Sequence, residues 1–390
     1  MQKDFPLHLW LSPIAWLYAL GVNLRNKLFD WGWLRSRSFC VPTICVGNLA
    51  VGGTGKTPHT EYLIRLLQAE GFEVATLSRG YKRKTKGYVL ADSRSDARQI
   101  GDEPYQMHEK FPEVRVAVCE DRCRGIEELQ KLRKPEVEVI LLDDAFQHRY
   151  VKPGLSILLT DYSRLLCDDR LMPVGQLREP ISGKNRAQII IVTKCPNDIK
   201  PIDFNIIAKR LRFYPYQELY FSRIGYGELR PMINEAKSEK GIMKEKEIMN
   251  EKGIMNEKGI MNKACRANRA TENISHVLLV TGIANPAPLK EEMSRRYAHV
   301  HLMSFGDHHD FSPRDIKEIA QRFDELPATA GRCIVTTEKD AARLKTHPAL
   351  SEELKRQIFV IPITIEILQN QQESFNQHII GYVRKNPRNS

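Results

Sequence analysis

The chain has 390 residues, 42% of them hydrophobic, and 59 Lys and Arg against 48 Asp and Glu give a net charge of +11. That length exceeds one average domain, and that apolar content builds ordinary cores, which excludes a disordered or fibrous protein. The basic excess favours an anionic partner: nucleic acid, an acidic membrane or a phosphorylated substrate. Eight cysteines, at 40, 45, 119, 123, 167, 195, 265 and 333, form no CxxC pair and spell no zinc or disulfide framework, which fits reduced thiols in the cytosol.

Residues 5–24 carry no Asp, Glu, Lys or Arg. As one helix they would span about 30 Å, the thickness of a bilayer core. Pro6 and Pro13 interrupt the run, and His8, Ser12 and Asn23 dilute it. Ser12-Pro13 reads as a helix start, and Ile14, Leu17, Tyr18, Gly21, Leu24 and Leu28 then recur at helical spacing. All four tryptophans (10, 16, 31 and 33) lie in this region, and Arg25, Lys27, Arg35 and Arg37 follow it. The pattern predicts an interfacial helix or short anchor; the alternative is a helix packed on the protein's own core. No small-residue cleavage site marks a signal peptide.

Thr43–Val46 is an apolar strand, and Thr57 to about Ala69 a helix. Between them runs Val46-Gly-Asn-Leu-Ala-Val-Gly-Gly-Thr-Gly-Lys-Thr-Pro58. This is a phosphate-binding P-loop. Gly52, Gly53, Thr54 and Gly55 offer backbone N–H groups to phosphates, Lys56 reaches the β- and γ-phosphates, and the Thr57 hydroxyl can ligate Mg²⁺. Ala50 stands where the strict pattern has glycine.

Strands follow at 72–77, 114–118, 137–142, 155–159 and 188–193, with a helix at 121–133. Apolar strands alternating with helices predict an α/β fold, a P-loop NTPase-like mostly parallel sheet with helices on both faces. Residues 239–262 are four hexapeptides, EKGIMK, EKEIMN, EKGIMN and EKGIMN. A period of six fits neither a helix face nor a solenoid, so they read as a low-complexity insertion, disordered and without function. A second set follows, with strands at 276–280, 298–302, 333–336 and 358–363, a helix at 288–296 and a closing helix at 369–383. It predicts a second, smaller α/β/α domain. The expected divisions are 1–36 for the N-terminal helix region, 37–222 for the P-loop domain, 223–275 for the linker, 276–368 for the second domain and 369–390 for the closing helix, packing back on the first.

Asp143-Asp144 ends a buried strand downstream of the P-loop, where a Walker B carboxylate holds Mg²⁺. Gln147 and His148 follow within one turn and can face the same crevice. Gly101-Asp-Glu-Pro104 places two carboxylates before a helix, as dipole partners or as an acceptor for a hydroxyl proton. Asp307-His-His-Asp310 is dense in potential ligands, and spacing leaves open a metal site, a His paired with a distant carboxylate, or a polar loop. Arg79 and Arg178, in Leu177-Arg-Glu-Pro180, carry guanidinium groups suited to phosphate.

Together these stretches resemble the tetraacyldisaccharide 4′-kinase family, the lipid A 4′-kinases of Gram-negative bacteria. The matching segments are VGNLAVGGTGKTP (46–58), SRGY (78–81), GDEP (101–104), DDAFQH (143–148), LREP (177–180), TGIANP (281–286), DHH (307–309) and TTEKD (336–340). Ala145 replaces the family's usual glycine, and the hexapeptides are foreign to it. The resemblance implies transfer of the ATP γ-phosphate to the 4′-hydroxyl of a membrane-embedded tetraacyl disaccharide 1-phosphate. It implies that Lys56 and Thr57 serve phosphates and Mg²⁺, that Asp143 and Asp144 serve the metal, and that Asp102 is the catalytic carboxylate, paired with His308. Tyr81, Gln147, His148 and Arg178 would orient lipid or phosphate. The expected partners are ATP, Mg²⁺, the lipid A disaccharide and the cytoplasmic face of the bacterial inner membrane, with no nucleic acid, and a monomer fits. The competing readings are a membrane-docked P-loop switch, a kinase of another amphiphilic alcohol, and a phosphoesterase built on 307–309. Thr193-Lys-Cys-Pro196 begins like a guanine-reading motif, but Pro196 occupies the Asp position.

Overall fold

Every residue of the strand Thr43–Asn48 is buried, as in a strand covered on both faces. It is β1 in a computed structural model that describes residues 9–132, 135–233, 274–283, 285–306, 309–327 and 331–386. The hexapeptides and His308 lie outside those residues. The strands after β1 are β2 (Val74–Ser78), β3 (Val89–Leu90), β4 (Arg115–Val118), β5 (Val139–Asp143), β6 (Leu155–Asp161), β7 (Ile189–Thr193) and β8 (Glu218–Tyr226). Then come β9 (Arg230–Pro231), β10 (His276–Thr281), β11 (His299–Ser304), β12 (Arg332–Thr337), β13 (Ile358–Ile361) and β14 (Ile363–Ile367).

The larger sheet has the order β14-β8-β7-β6-β1-β5-β2-β4-β3. Pairing from β8 through β4 is parallel, and β3 closes that edge antiparallel. Alternate residues of β1 face opposite cores. Ile44 and Val46 meet Leu63, Ile64 and Leu67 of helix α2 (Lys56–Ala69), with Phe375, Ile379 and Val383 of the closing helix Gln372–Lys385. Cys45 joins Ile126 and Leu129 from Arg122–Gln130, together with Phe146 and Ile207. Helices thus cover both faces of a parallel sheet, the α/β architecture that the alternating pattern predicts.

The chain divides into two compact units, residues 1–225 with 364–390, and residues 226–363. The second unit has its own five-stranded sheet, β11-β10-β12-β13-β9, parallel except at β9. Ala287–Arg296 covers one face through Leu289 and Met293. Pro313–Asp324 covers the other through Ile316, Ile319 and Phe323, and starts on a capping box between Ser312 and Asp315.

The helix α1 (Ser12–Asp30) follows a 3₁₀ turn at Leu9–Leu11, and Ser12 lies within it rather than capping it. Among its residues only Phe29 is buried. Trp10, Ile14, Trp16, Leu17, Leu20 and Leu24 are exposed, as are Trp31 and Trp33 beyond it. Packing on the protein's own core, the alternative for this segment, therefore accounts for one end of the helix and leaves its apolar face uncovered. Polar contacts fix the rest: the Tyr18 hydroxyl donates to the Arg178 carbonyl at 2.8 Å, Arg25 to the Gln147 carbonyl at 3.1 Å, and Arg149 to the Asn26 carbonyl at 2.9 Å. Among the described residues, no helix is long and apolar enough to cross a membrane.

Candidate active site

β1 ends at Asn48 and α2 begins at Lys56; the turn between them holds the cradle. Gly52 and Gly55 take φ of +112° and +85°, conformations that cost a side chain dearly, and a Cβ on Gly52 or Gly53 would meet nothing within 4 Å. Gly55 precedes α2 with no side-chain cap, so the first N–H groups of the helix remain for an anion. Lys56 Nζ stands 3.5 Å from Asn48 Oδ1 and 3.6 Å from Asp144 Oδ1. Thr57 follows in the first turn. One flank of the loop opens on a cavity of about 420 Å³ that Leu159, Asp161 and Lys194 help to line.

β5 lies beside β1, with Val46 paired to Asp143. The turn after β5 packs directly on β1, because Gly47 has no side chain: a Cβ there would stand 2.6 Å from that of Phe146. Asp144 takes a left-handed φ of +47°, and its N–H donates to Val46 O at 3.0 Å. Ala145, where the family's glycine was expected, is not among the residues with positive φ; its methyl is buried in the core. Alanine therefore fits there without strain.

Asp143 is buried and accepts a 3.1 Å hydrogen bond from Thr60 Oγ1. Burial, with the carboxylates of Glu103 and Asp144, pushes its carboxyl up from 3.8 to about 7, against the pull of Lys56 and Thr60. A buried acid crowded by acids is a site short of positive charge. Asp144 Oδ1 is itself buried and makes no hydrogen bond, the nearest donor being the Lys56 ammonium at 3.6 Å. Both observations fit a divalent cation here. Among the described residues no cluster of three or more His, Cys, Asp or Glu is arranged around a metal position. Mg²⁺ takes one or two carboxylates and fills its shell with phosphate and water, so Asp143, Asp144 and Thr57 are the residues that could hold it.

Arg178 joins these groups. Its guanidinium lies 3.3 Å from Asp144 Oδ2, 3.2 Å from Asn48 Oδ1 and 3.4 Å from Gln147 Oε1, while Gln147 Nε2 donates to Asn48 O at 2.6 Å. The sequence-predicted Lys56, Asp143, Asp144, Gln147 and Arg178 thus converge at the carboxyl ends of β1 and β5.

The SRGY and GDEP segments meet backbone to backbone. A Cβ on Gly80 would lie 2.7 Å from Ile100 O, and one on Gly101 would lie 3.0 Å from Tyr81 O. Both glycines have positive φ. Asp102 and Glu103 stand in the first turn of the helix Asp102–Lys110, which suits negative charge. Tyr81 is 74% exposed, free to meet a ligand. His148 is committed elsewhere: Nε2 bonds Glu120 O at 3.2 Å, and burial beside Arg122 lowers its pKa.

In the second unit, the described residues Gly282, His309 and Asp340 of the remaining motifs follow the carboxyl ends of β10, β11 and β12. Gly282 N–H donates to Asp340 Oδ2 at 2.9 Å, and a Cβ on Gly282 would lie 3.6 Å from His309 Cβ. His309 bonds Asp315 at 3.0 Å; with the Ser312 N–H this holds the Asp315 carboxyl down at about 2. The His309 Nε2 is thereby held by Asp315, and His308 lies outside the described residues.

Sequence reasoning missed Asn48, Thr60, Thr193 and the buried Arg122, whose charge interacts with Asp143 and Asp144. Asn48 carried a signal in hindsight: a polar residue at the inner end of an otherwise apolar strand, eight positions before the P-loop lysine. The others act through tertiary neighbours that no spacing reveals.

Strand, cradle and helix, with paired acids on the adjacent strand, stand in the order that phosphoryl transfer from a nucleotide requires; this is the architecture of a P-loop kinase. Comparison with known proteins narrows that class. The family model described as Tetraacyldisaccharide-1-P 4′-kinase matches residues 7–384, and the chain belongs to that family. The tetraacyldisaccharide 4′-kinase of Bacteroides thetaiotaomicron is 60% identical over all of this chain and 97% of its own length. That of Phocaeicola vulgatus is 51% identical over 98% of this chain and 96% of its own. Among solved structures, LpxK of Aquifex aeolicus, crystallised in complex with ATP, aligns with a TM-score of 0.66 at 27% identity, covering 96% of this chain and 98% of the other.

Proposed function

We infer that this protein transfers the γ-phosphate of ATP to the 4′-hydroxyl of tetraacyldisaccharide 1-phosphate, giving the bis-phosphorylated lipid A precursor. The observation that carries the reading is the placement of Lys56 Nζ at the mouth of an open glycine cradle, within 3.6 Å of Asp144. A lysine held there by an acid is ready to be handed to phosphate oxygens.

The roles follow from chemistry. N–H groups of Gly53, Thr54, Gly55 and Lys56 would cradle the β- and γ-phosphates, and Lys56 and Arg178 would balance charge on the transferring group. Thr57, Asp143 and Asp144 would hold Mg²⁺, which when bound neutralises phosphate charge. Asp102 would take the proton of the attacking hydroxyl, and Tyr81 and Gln147 would orient the acceptor. His148, half-buried, would serve as a hydrogen-bonding wall. The exposed tryptophans and leucines of α1, with Arg25 and Lys27 beside them, support attachment to the surface of an anionic membrane. That surface would also supply the lipid.

Incubation with γ-labelled ATP, Mg²⁺ and the disaccharide lipid in detergent tests this. Label should enter the lipid, and Lys56→Ala should lower the rate about 100-fold or more. Hydrolysis of ATP at the full rate with no lipid present would favour the switch instead.

A further inference from the structure

Two consecutive carbonyls of the P-loop are held from outside by side chains with no other assigned role. Thr193 Oγ1, at the end of β7, donates to Thr54 O at 2.9 Å, with Thr160 O farther at 3.3 Å. His59 Nδ1 lies 2.7 Å from Gly55 O. The helical N–H of residue 59 reaches the same oxygen only at 3.3 Å, so the ring makes the closer bond. The imidazole is buried and its Nε2 lies 2.9 Å from Ser222 Oγ, on β8.

The tautomer is set by these neighbours. A carbonyl can only accept, so Nδ1 carries the proton, and Nε2 accepts from the Ser222 hydroxyl. Burial lowers the ring's pKa to about 4, which keeps it in this neutral form. In a planar trans peptide, a C=O and the N–H of the next residue point to opposite sides. Holding Thr54 O and Gly55 O on the protein side therefore turns the N–H groups of Gly55 and Lys56 the other way, toward the open side of the cradle.

We propose that Thr193 and His59 form an outer clamp that fixes two P-loop peptide planes before nucleotide arrives, and so sets the affinity for its phosphates. Both are positioning residues: they act through the loop's backbone. The clamp rests on the reading of this loop as the ATP phosphate site. Neither residue is needed for lipid recognition, so their loss should spare the KM for lipid.

The test uses the full chain with three variants. Thr193→Val removes the donor with little change in shape. His59→Leu removes both ring bonds. His59→Asn keeps a donor that can reach Gly55 O. Isothermal titration with ATP and with tripolyphosphate, and steady-state KM values, should show about tenfold weaker binding of both phosphates for the first two, an unchanged KM for lipid, and recovery to within about threefold for His59→Asn. Should His59→Leu fail to fold, the nearly isosteric Thr193→Val decides the matter alone. Wild-type protein that binds no ATP would sink the functional reading itself. Wild-type binding matched by folded Thr193→Val and His59→Leu would overturn the clamp and leave that reading standing.

Discussion

Tyr18 and Arg178 are joined by a 2.8 Å hydrogen bond from the phenol to the arginine's own carbonyl. One lies on the exposed apolar helix, the other reaches Asp144 and Asn48 beside the phosphate cradle. The exposed apolar helix is thus tied to the backbone of the arginine beside the phosphate cradle, the element proposed to meet lipid to the residue proposed to act in transfer. Tyr18→Phe should lower kcat on lipid roughly three- to tenfold, the worth of one partly buried hydrogen bond, and leave ATP affinity within about twofold. Equal loss of ATP affinity would argue against this linkage.

The acid cluster makes stability depend on pH. The Asp143 carboxyl, raised to about 7, binds its proton more tightly in the folded chain than in the unfolded one. Its contribution is therefore fully present below the ordinary carboxylate range and is lost as pH rises toward and through 7. The nucleotide-free protein should melt at lower temperature at pH 8 than at pH 5.5 through this group. Asp143→Asn should flatten that slope and raise the Tm at pH 8 by a few degrees, while abolishing transfer. Differential scanning calorimetry at both pH values, with and without Mg²⁺ and ATP, reads it directly. A variant as pH-dependent as the parent would remove Asp143 as the cause.

Exposed apolar side chains cost little to change when they touch only solvent. Trp16→Glu with Leu20→Glu, both more than half exposed, should leave the Tm of the detergent-free protein nearly unchanged. Co-sedimentation with phosphatidylglycerol vesicles should fall about tenfold or more. A large drop in Tm instead would mean that the helix face is covered by protein.

The family resemblance implies that Asp102 and His308 together serve as the base. If they act as a unit, Asp102→Ala and His308→Ala should each lower kcat strongly, and the double variant should be hardly worse than either. Losses that multiply would mean independent roles. His309→Ala provides the contrast, since its Nε2 is held by Asp315, and it should affect Tm more than kcat.

Long, strongly patterned elements were legible in the sequence for a physical reason. β1, β5 and β7 are buried on both faces, so their composition alone announces them, and the P-loop glycines are dictated by left-handed backbone at 52 and 55. The edges were harder. β3 and β9 are two residues long, β14 alternates between buried and exposed positions, and β8 is fully buried only at its centre, so their apolar signal is diluted. The site was half legible. Lys56, Asp143 and Asp144 follow from motif and strand order. Asn48 and Thr60 act by meeting groups far along the chain, and the strain-free fit of Ala145 depends on a dihedral that composition does not encode.

Gly80 and Gly101 stand with their backbones in contact: a methyl group on Gly80 would strike the Ile100 carbonyl, and one on Gly101 would press on Tyr81 O from a strained left-handed backbone. Tyr81 and Asp102 sit next to them. Evolution or engineering therefore cannot reshape these two loops one at a time: lengthening or twisting either segment drags its neighbour along, so, with the roles proposed for them, a change of acceptor preference made at residue 81 would also re-aim the carboxylate at residue 102.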